Sequence, residues 1–87
     1  MIDCPAPDML FGGLLRLSQP PKGHRAGTDG VLLAAATPAD AVRIADFGAS
    51  SGLVGLRAAQ INPQARVTLF EQDAEIAALA RANIATN

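Results

Sequence analysis

The sequence of 87 residues has no tryptophan or tyrosine, and only 3% of it is aromatic. Its single cysteine, Cys4, excludes an internal disulfide and has no second thiol for a metal site, so we predict an inert residue in a loose terminus. No apolar run approaches the roughly 20 residues that span a bilayer, and the N-terminus resembles no signal peptide. We therefore expect one soluble, cytoplasmic domain at most.

Charge is nearly balanced. Seven basic and eight acidic residues give a net charge of −1, which excludes a protein that holds nucleic acid through its phosphates alone. The one basic cluster, formed by Lys22, His24 and Arg25, falls in a turn rich in proline and glycine. We interpret this cluster as a solvated loop and His24 as a loop residue rather than a catalytic base.

The first part of the chain, residues 1–40, is predicted to hold a lead-in, a strand and a helix. Two prolines and a Gly-Gly pair favour a loose lead-in over residues 1–13, and residues 14–19 have strand character. An apolar helix is predicted over residues 31–36. Either Thr28 or Asp29 is suited to cap its first turn.

The second part, residues 41–87, alternates strands and helices. The predicted elements are a strand at 43–47, a helix at 53–61 with Leu53, Leu56 and Ile61 near one face, a strand at 67–70, and a last helix capped by Asp73 with Ile76, Leu79, Ala80 and Ile84 at helical spacing. Such alternation predicts an α/β fold with a parallel sheet.

A loop of small residues, from Asp46 to Gly52, separates the first of these strands from its helix. Such a loop lets a ligand approach the backbone and the N–H groups of the following helix. Nineteen residues after Gly52, Glu71 ends the next strand, where a carboxylate can accept hydrogen bonds from both hydroxyls of a ribose. The two features together predict a site for a nucleoside cofactor.

The spacing of the glycines distinguishes between cofactors. A dinucleotide fingerprint G-x-G-x-x-G that starts at Gly48 would need glycine at Ser50 and Leu53, and has neither. The pattern D-x-G-x-G-x-G, the first motif of class I S-adenosylmethionine-dependent methyltransferases, is matched by Asp46, Gly48 and Gly52. Ser50 replaces the middle glycine, which weakens the loop if it requires a positive φ there.

The segment before this loop carries a more specific resemblance. From Gly27 the sequence matches G-T-D-[GA]-x-L-L residue for residue, and the run 15–35 resembles the N-terminal portion of bacterial tRNA1(Val) adenine-N6 methyltransferases. The resemblance implies a Rossmann-like class I methyltransferase fold, with only the N-terminal hairpin and helix and the first two β-α units present. It implies an enzyme whose full-length form transfers methyl from S-adenosylmethionine to adenine N6 in tRNA.

The resemblance also assigns roles to individual residues in cofactor binding. Thr28 and Asp29 would lie over the methionine end, Asp46, Gly48 and Gly52 would form the floor, Glu71 would hold the ribose, and Gln72 or Asp73 would approach the adenine. Each has a simpler alternative. Thr28 and Asp29 could only cap a helix, Asp46 could only satisfy loop N–H groups, and Glu71 could be a solvated strand end.

The N-P-P-Y tetrad that binds the target base in this family does not occur in the sequence, and Asn62-Pro63 is a helix-ending turn. We therefore expect an N-terminal portion of a longer enzyme, inactive alone, with no catalytic residue, an RNA partner for the full-length form, and self-association through open sheet edges. Open alternatives are a protein-glutamine methyltransferase, a nucleotide-dependent oxidoreductase and a non-catalytic remnant.

Overall fold

The computed structural model describes residues 6–23 and 25–87, so Cys4 and His24 lie outside the described part of the chain. The elements in chain order are β1 (Asp8–Leu10), a 3-10 turn (Phe11–Gly13), β2 (Leu15–Leu17), α1 (Thr28–Ala35), β3 (Arg43–Phe47), α2 (Leu53–Ile61), β4 (Arg66–Phe70) and α3 (Ala74–Thr86). None of the helices in this part of the chain has the length and apolarity needed to cross a bilayer.

The N-terminal segment folds into a hairpin. β1 pairs antiparallel with β2, with Met9 opposite Arg16. The prediction of a loose lead-in is therefore wrong for residues 8–13. Gly12 and Gly13 close the turn between the strands with φ values of +65° and +92°, a conformation that glycine adopts without steric cost.

β3 and β4 form a parallel pair, as predicted, in register from Arg43 opposite Arg66 to Phe47 opposite Phe70. Side chains alternate between the two faces of this sheet. The face that carries Ile44 is half-buried on the side of α2, whereas the other face is exposed. Both strands end at one edge, where the glycine loop follows β3 and Glu71 follows β4.

The apolar core lies between the hairpin and the N-terminal half of α2. Leu15, Leu17 and Leu53 are buried in it, and the partly buried Leu10, Phe11, Ala26, Val31 and Leu56 pack against them. Two polar contacts fasten α2 to the hairpin. The Gln60 side chain donates to the Leu14 carbonyl at 2.7 Å, and the Arg57 guanidinium lies 4.1 Å from the centre of the Phe11 ring.

Two of the helix starts test the predicted caps. α1 begins at Thr28, three residues earlier than predicted, because the Gly27 carbonyl accepts the N–H groups of Gly30 and Val31. Gly27 is thus the N-cap, and no side chain among the described residues caps α1, so the capping role predicted for Thr28 or Asp29 is wrong. The predicted cap of α3 is confirmed, since the Asp73 carboxylate accepts from the backbone of residues 75 and 76 at 3.0 and 3.1 Å.

Candidate functional site

The glycine loop is tied to the end of β4. The N–H groups of Gly48 and Ala49 both donate to the Phe70 carbonyl, at 2.8 and 2.9 Å. Three loop residues have a left-handed backbone, with φ of +74° at Gly48, +54° at Ser50 and +106° at Gly52. The loop therefore does require a positive φ where serine replaces the middle glycine of the motif.

Glu71 is bonded to the glycine loop rather than free in solvent. One carboxylate oxygen accepts the Ser50 N–H at 2.9 Å, and the other accepts the Asp73 N–H at 3.0 Å. The alternative of a solvated strand end is therefore wrong. An ionised carboxylate has about four acceptor positions, so Glu71 keeps capacity for further donors such as the hydroxyls of a ribose.

Asp46 faces the start of α2. Its carboxylate accepts the Gly55 N–H at 3.1 Å, so it satisfies one of the N–H groups that a helix start leaves unpaired. Burial raises the pKa of the Asp46 carboxyl, and the hydrogen bond from Gly55 lowers it in part. The Asp46 carboxylate is thus half-buried next to the glycine loop and bonded to the first turn of α2.

Three adjoining cavities surround Gly48 above the carboxyl ends of β3 and β4. The first has a volume of about 380 Å³ and lies between the start of α1 and the loop, with Asp29 and Asp46 among its lining residues. The second, of about 520 Å³, includes Ser50, Glu71 and Asp73, and the third, of about 570 Å³, runs from Leu69 to Gln72. Together they form a groove, which we call the loop groove.

Most of the residues predicted for the site line the loop groove, namely Asp29, Asp46, Gly48, Glu71, Gln72 and Asp73. Two are placed differently. Thr28 is exposed in the first turn of α1 and is not among the lining residues of the first cavity. Gly52 is buried, and a Cβ there would approach Leu56 and Leu69 at 3.2 and 3.3 Å. The absence of a side chain at Gly52 therefore lets the start of α2 pack closely against β4.

Two residues beside the loop are not predicted by the sequence motifs. Gly55, inside α2, lies so close to β4 that an added Cβ would overlap the Leu69 side chain. A glycine within an apolar helical pattern was its available signal. Asn83, in α3, is buried and donates to the Ser51 carbonyl in the loop. An asparagine among alanines gave no signal of this contact.

The basic cluster is partly held by contacts within the protein. Arg25 pairs with Asp8 at 2.9 Å, and both side chains remain partly exposed. Lys22 is exposed and lines the second cavity near Glu71. Surface pairs of this kind contribute little to stability, so we assign Arg25 no large part in holding the fold.

Comparison with known proteins identifies the class. The family model described as the methyltransferase small domain matches residues 26–87, and the chain belongs to this family. The resemblance to the adenine-N6 enzymes is confirmed as well. The chain is similar to proteins named tRNA1(Val) (adenine(37)-N6)-methyltransferase, with 45% identity over 60 residues in Flavobacteriaceae bacterium (strain 3519-10) and 46% over 68 residues in Porphyromonas gingivalis (strain ATCC BAA-308 / W83).

A third relative of the same name, from Aeromonas hydrophila subsp. hydrophila, is 42% identical over 65 residues. These matches cover 68%, 72% and 72% of this chain but 26%, 27% and 28% of the respective relatives. The chain thus spans about a quarter of the length of the curated relatives that it matches. The region that the family model matches, residues 26–87, includes the glycine loop and Glu71.

Proposed function

We propose that this chain is the cofactor-binding part of an S-adenosylmethionine-dependent methyltransferase whose full-length form methylates adenine N6 in tRNA, in the cytoplasm. The observation that carries the proposal is the loop groove, in which a left-handed glycine loop and the Glu71 carboxylate are bonded at the carboxyl ends of two parallel strands. The names of the relatives support the RNA substrate and the target base.

The residues of the loop groove fit the three chemically distinct parts of this cofactor. The carboxylates of Asp29 and Asp46 suit the ammonium of the methionine end, Glu71 suits the ribose hydroxyls, and Gln72 lies where the adenine edge would be held. A Cβ on Gly48 would meet nothing within 4 Å, so this glycine leaves the groove open. Thr28 and Gly52 act indirectly in this proposal, by shaping the starts of α1 and α2.

S-adenosylmethionine supplies an activated methyl group on a sulfonium, and the protein acts by positioning. In this chain Asp46, Gly48 and Glu71 bind and orient the cofactor. The sequence contains no N-P-P-Y tetrad to hold the acceptor base. We therefore propose that the 87 residues bind the cofactor but do not transfer methyl by themselves.

Replacement of Glu71 tests the site. We expect Glu71→Ala to raise the Kd for S-adenosylmethionine by about 5-fold to 150-fold, because lost hydrogen bonds to a charged group cost about 1–3 kcal/mol. Isothermal titration calorimetry on the 87-residue chain measures this change. The matched control is Glu75→Ala, an exposed carboxylate in the first turn of α3, for which we expect an unchanged Kd.

The other outcomes of the titration identify the alternatives. An unchanged Kd in Glu71→Ala would remove Glu71 from the site. Tight binding of NADH with no binding of S-adenosylmethionine would overturn the proposed function in favour of a nucleotide-dependent oxidoreductase. If neither ligand binds, the proposal gives way to a non-catalytic remnant. A protein-glutamine methyltransferase shares the cofactor and is separated only by assays of the full-length enzyme on tRNA and protein substrates.

A further inference from the structure

Asn83 connects the glycine loop to the N-terminal hairpin from inside the protein. Its side chain is 1% exposed, among the most deeply buried in the described part of the chain. The side-chain oxygen accepts the Ser18 N–H at 2.9 Å. The side-chain nitrogen donates to the Ser18 carbonyl at 2.9 Å and to the Ser51 carbonyl at 2.8 Å, so both of its hydrogens are used.

Asn87, one helical turn later, makes a similar contact without reaching the loop. It accepts the Arg16 N–H at 2.8 Å and donates to the Arg16 carbonyl at 2.7 Å. Four residues of helix rise about 6 Å and two residues of strand about 6.6 Å, so the two amides match alternate residues, Arg16 in β2 and Ser18 directly after it. The second donor bond of Asn87 goes back to the Asn83 carbonyl within α3.

The bond to Ser51 falls at the most strained part of the loop. Ser51 stands between Ser50 and Gly52, whose φ values are +54° and +106°. A strained backbone persists only where the surrounding structure holds it in place. Here the Glu71 carboxylate, which precedes α3, accepts the Ser50 N–H. The Asn83 amide, near the end of α3, donates to the adjacent Ser51 carbonyl.

We infer that Asn83 is a positioning residue that keeps the glycine loop in the shape that binds the cofactor. This inference rests on the proposed function. If the loop departs from this shape in a fraction of the molecules, the apparent Kd rises by the reciprocal of the competent fraction. Asn87, which is exposed, anchors the same helix to the hairpin but holds no loop residue, and it therefore serves as the control.

The test compares Asn83→Asp with Asn87→Asp in the 87-residue chain, by calorimetry with S-adenosylmethionine at a temperature where circular dichroism shows each variant folded. Aspartate keeps the shape and the acceptor oxygen but sets an oxygen against the Ser18 and Ser51 carbonyls. We expect Asn83→Asp to raise the Kd about tenfold, on the scale of the one lost hydrogen bond that holds the loop at Ser51, and Asn87→Asp to leave it within about twofold.

Equal effects of the two variants, or an unchanged Kd in Asn83→Asp, would overturn the inference while leaving the proposed function intact. Failure of the unmodified chain to bind S-adenosylmethionine would overturn both. If Asn83→Asp does not fold, the side-chain amide NMR signals of the unmodified chain provide the test. Titration with S-adenosylmethionine should change the chemical shifts of the Asn83 side-chain amide and not those of Asn87. Unchanged chemical shifts of Asn83 would contradict the inference.

Discussion

Ser50 holds a backbone conformation that suits glycine, with φ at +54°. A left-handed backbone costs a residue with a Cβ about 1–2 kcal/mol, and the greater freedom of glycine in the unfolded chain offsets about half of what its introduction would gain. We therefore expect Ser50→Gly to raise the free energy of unfolding by about 0.5–1 kcal/mol and to leave cofactor affinity equal or tighter. Urea denaturation and calorimetry measure the two effects.

The opposite substitution at Gly48 is the control for this prediction. Gly48 has φ at +74° and open space around its missing Cβ, so Gly48→Ala tests backbone strain without a clash. We expect it to lower the free energy of unfolding by about 1 kcal/mol. A clear loss of stability or binding in Ser50→Gly would mean that the serine hydroxyl makes a contact of its own.

The Asp46 carboxyl makes stability depend on pH. Its pKa is raised above the ordinary 3.8, with burial as the main cause, so the folded state holds this proton more tightly than the unfolded state. Its contribution to stability is therefore fully present below pH 3.8 and is lost as pH rises through the folded-state pKa. We expect Asp46→Asn to remove this loss, because an amide oxygen still accepts the Gly55 N–H without carrying charge.

The measurement for Asp46 is the difference in free energy of unfolding between Asp46→Asn and the unmodified chain, from below pH 3.8 to above the folded-state pKa of Asp46. The difference should grow in favour of the variant as pH rises. Asp73→Asn is the control, because Asp73 is exposed and its cap bonds to α3 can be kept by an asparagine oxygen. A constant difference for Asp46→Asn would contradict the assigned cause.

At the scale of elements, α2 approaches β4 closely because Gly55 has no side chain. An added Cβ would overlap Leu69 and come within 3.2 Å of the Asp46 carboxylate. Alanine favours helices over glycine by about 1 kcal/mol, but a clash in a packed interface costs about 1–3 kcal/mol. We expect Gly55→Ala to lower the free energy of unfolding and to weaken cofactor binding, because α2 carries the loop.

Gly30→Ala, in α1, is the matched control for Gly55→Ala. There the added Cβ would come within 3.1 Å of the end of the Leu53 side chain, a tight contact that the better helix propensity of alanine offsets. We expect a change in the free energy of unfolding of less than about 0.5 kcal/mol. Equal losses of unfolding free energy in the two variants, measured by urea denaturation, would show that the close contact between α2 and β4 at Gly55 is not the cause of the loss.

The sequence predicts the elements with strong local signals and misses those set by distant contacts. The bounds of β3 and α2 agree with the prediction, since small-residue and proline signals flank them. β1 has only three residues, and its strand depends on pairing with β2 rather than on a repeating pattern. Ile61 and Ile84, which follow the helical spacing of other apolar residues, are 40% and 51% exposed, because periodicity defines a face but not what packs on it.

The candidate site divides in the same way. Asp46, Gly48 and Glu71 could be predicted for the candidate site because a loop and a strand end recur at a fixed spacing in this fold. The bond from Asn83 to Ser51 joins residues 32 positions apart, and only the folded chain brings them together. The motif shows only that Ser50 weakens the loop if a positive φ is required there. The structure shows that it is required, because φ at Ser50 is +54°.

At the scale of the whole molecule, a compact chain encloses few large apolar side chains. The radius of gyration is 12.1 Å, close to the roughly 12 Å expected for a compact domain of this length. In residues 6–23 and 25–87, three buried leucines form the centre of the core, and the other buried hydrophobic residues are alanines. Low volume in the core leaves larger apolar groups at the surface, Phe47 above all, at 78% exposed.

This exposed surface is the basis of the last prediction, self-association of the chain. The rings of Phe47 and Phe70 stack with their centres 4.9 Å apart on the exposed face of the parallel sheet. In the described part of the chain, β3 pairs with β4 alone, so its other edge is open. Burial of an aromatic ring favours association, and an open strand edge offers unpaired backbone groups to a second copy.

Sedimentation velocity over a range of concentrations tests this prediction. We expect the weight-average sedimentation coefficient to rise with concentration in the unmodified chain and in Leu32→Ser, whose leucine is exposed on α1, but much less in Phe47→Ser. Added salt should strengthen the association, because Arg43 and Arg66 lie side by side on the same face and repel those of a second copy. A coefficient that stays constant in the unmodified chain at all concentrations would refute self-association, and equal effects of the two substitutions would place the contact elsewhere than the sheet.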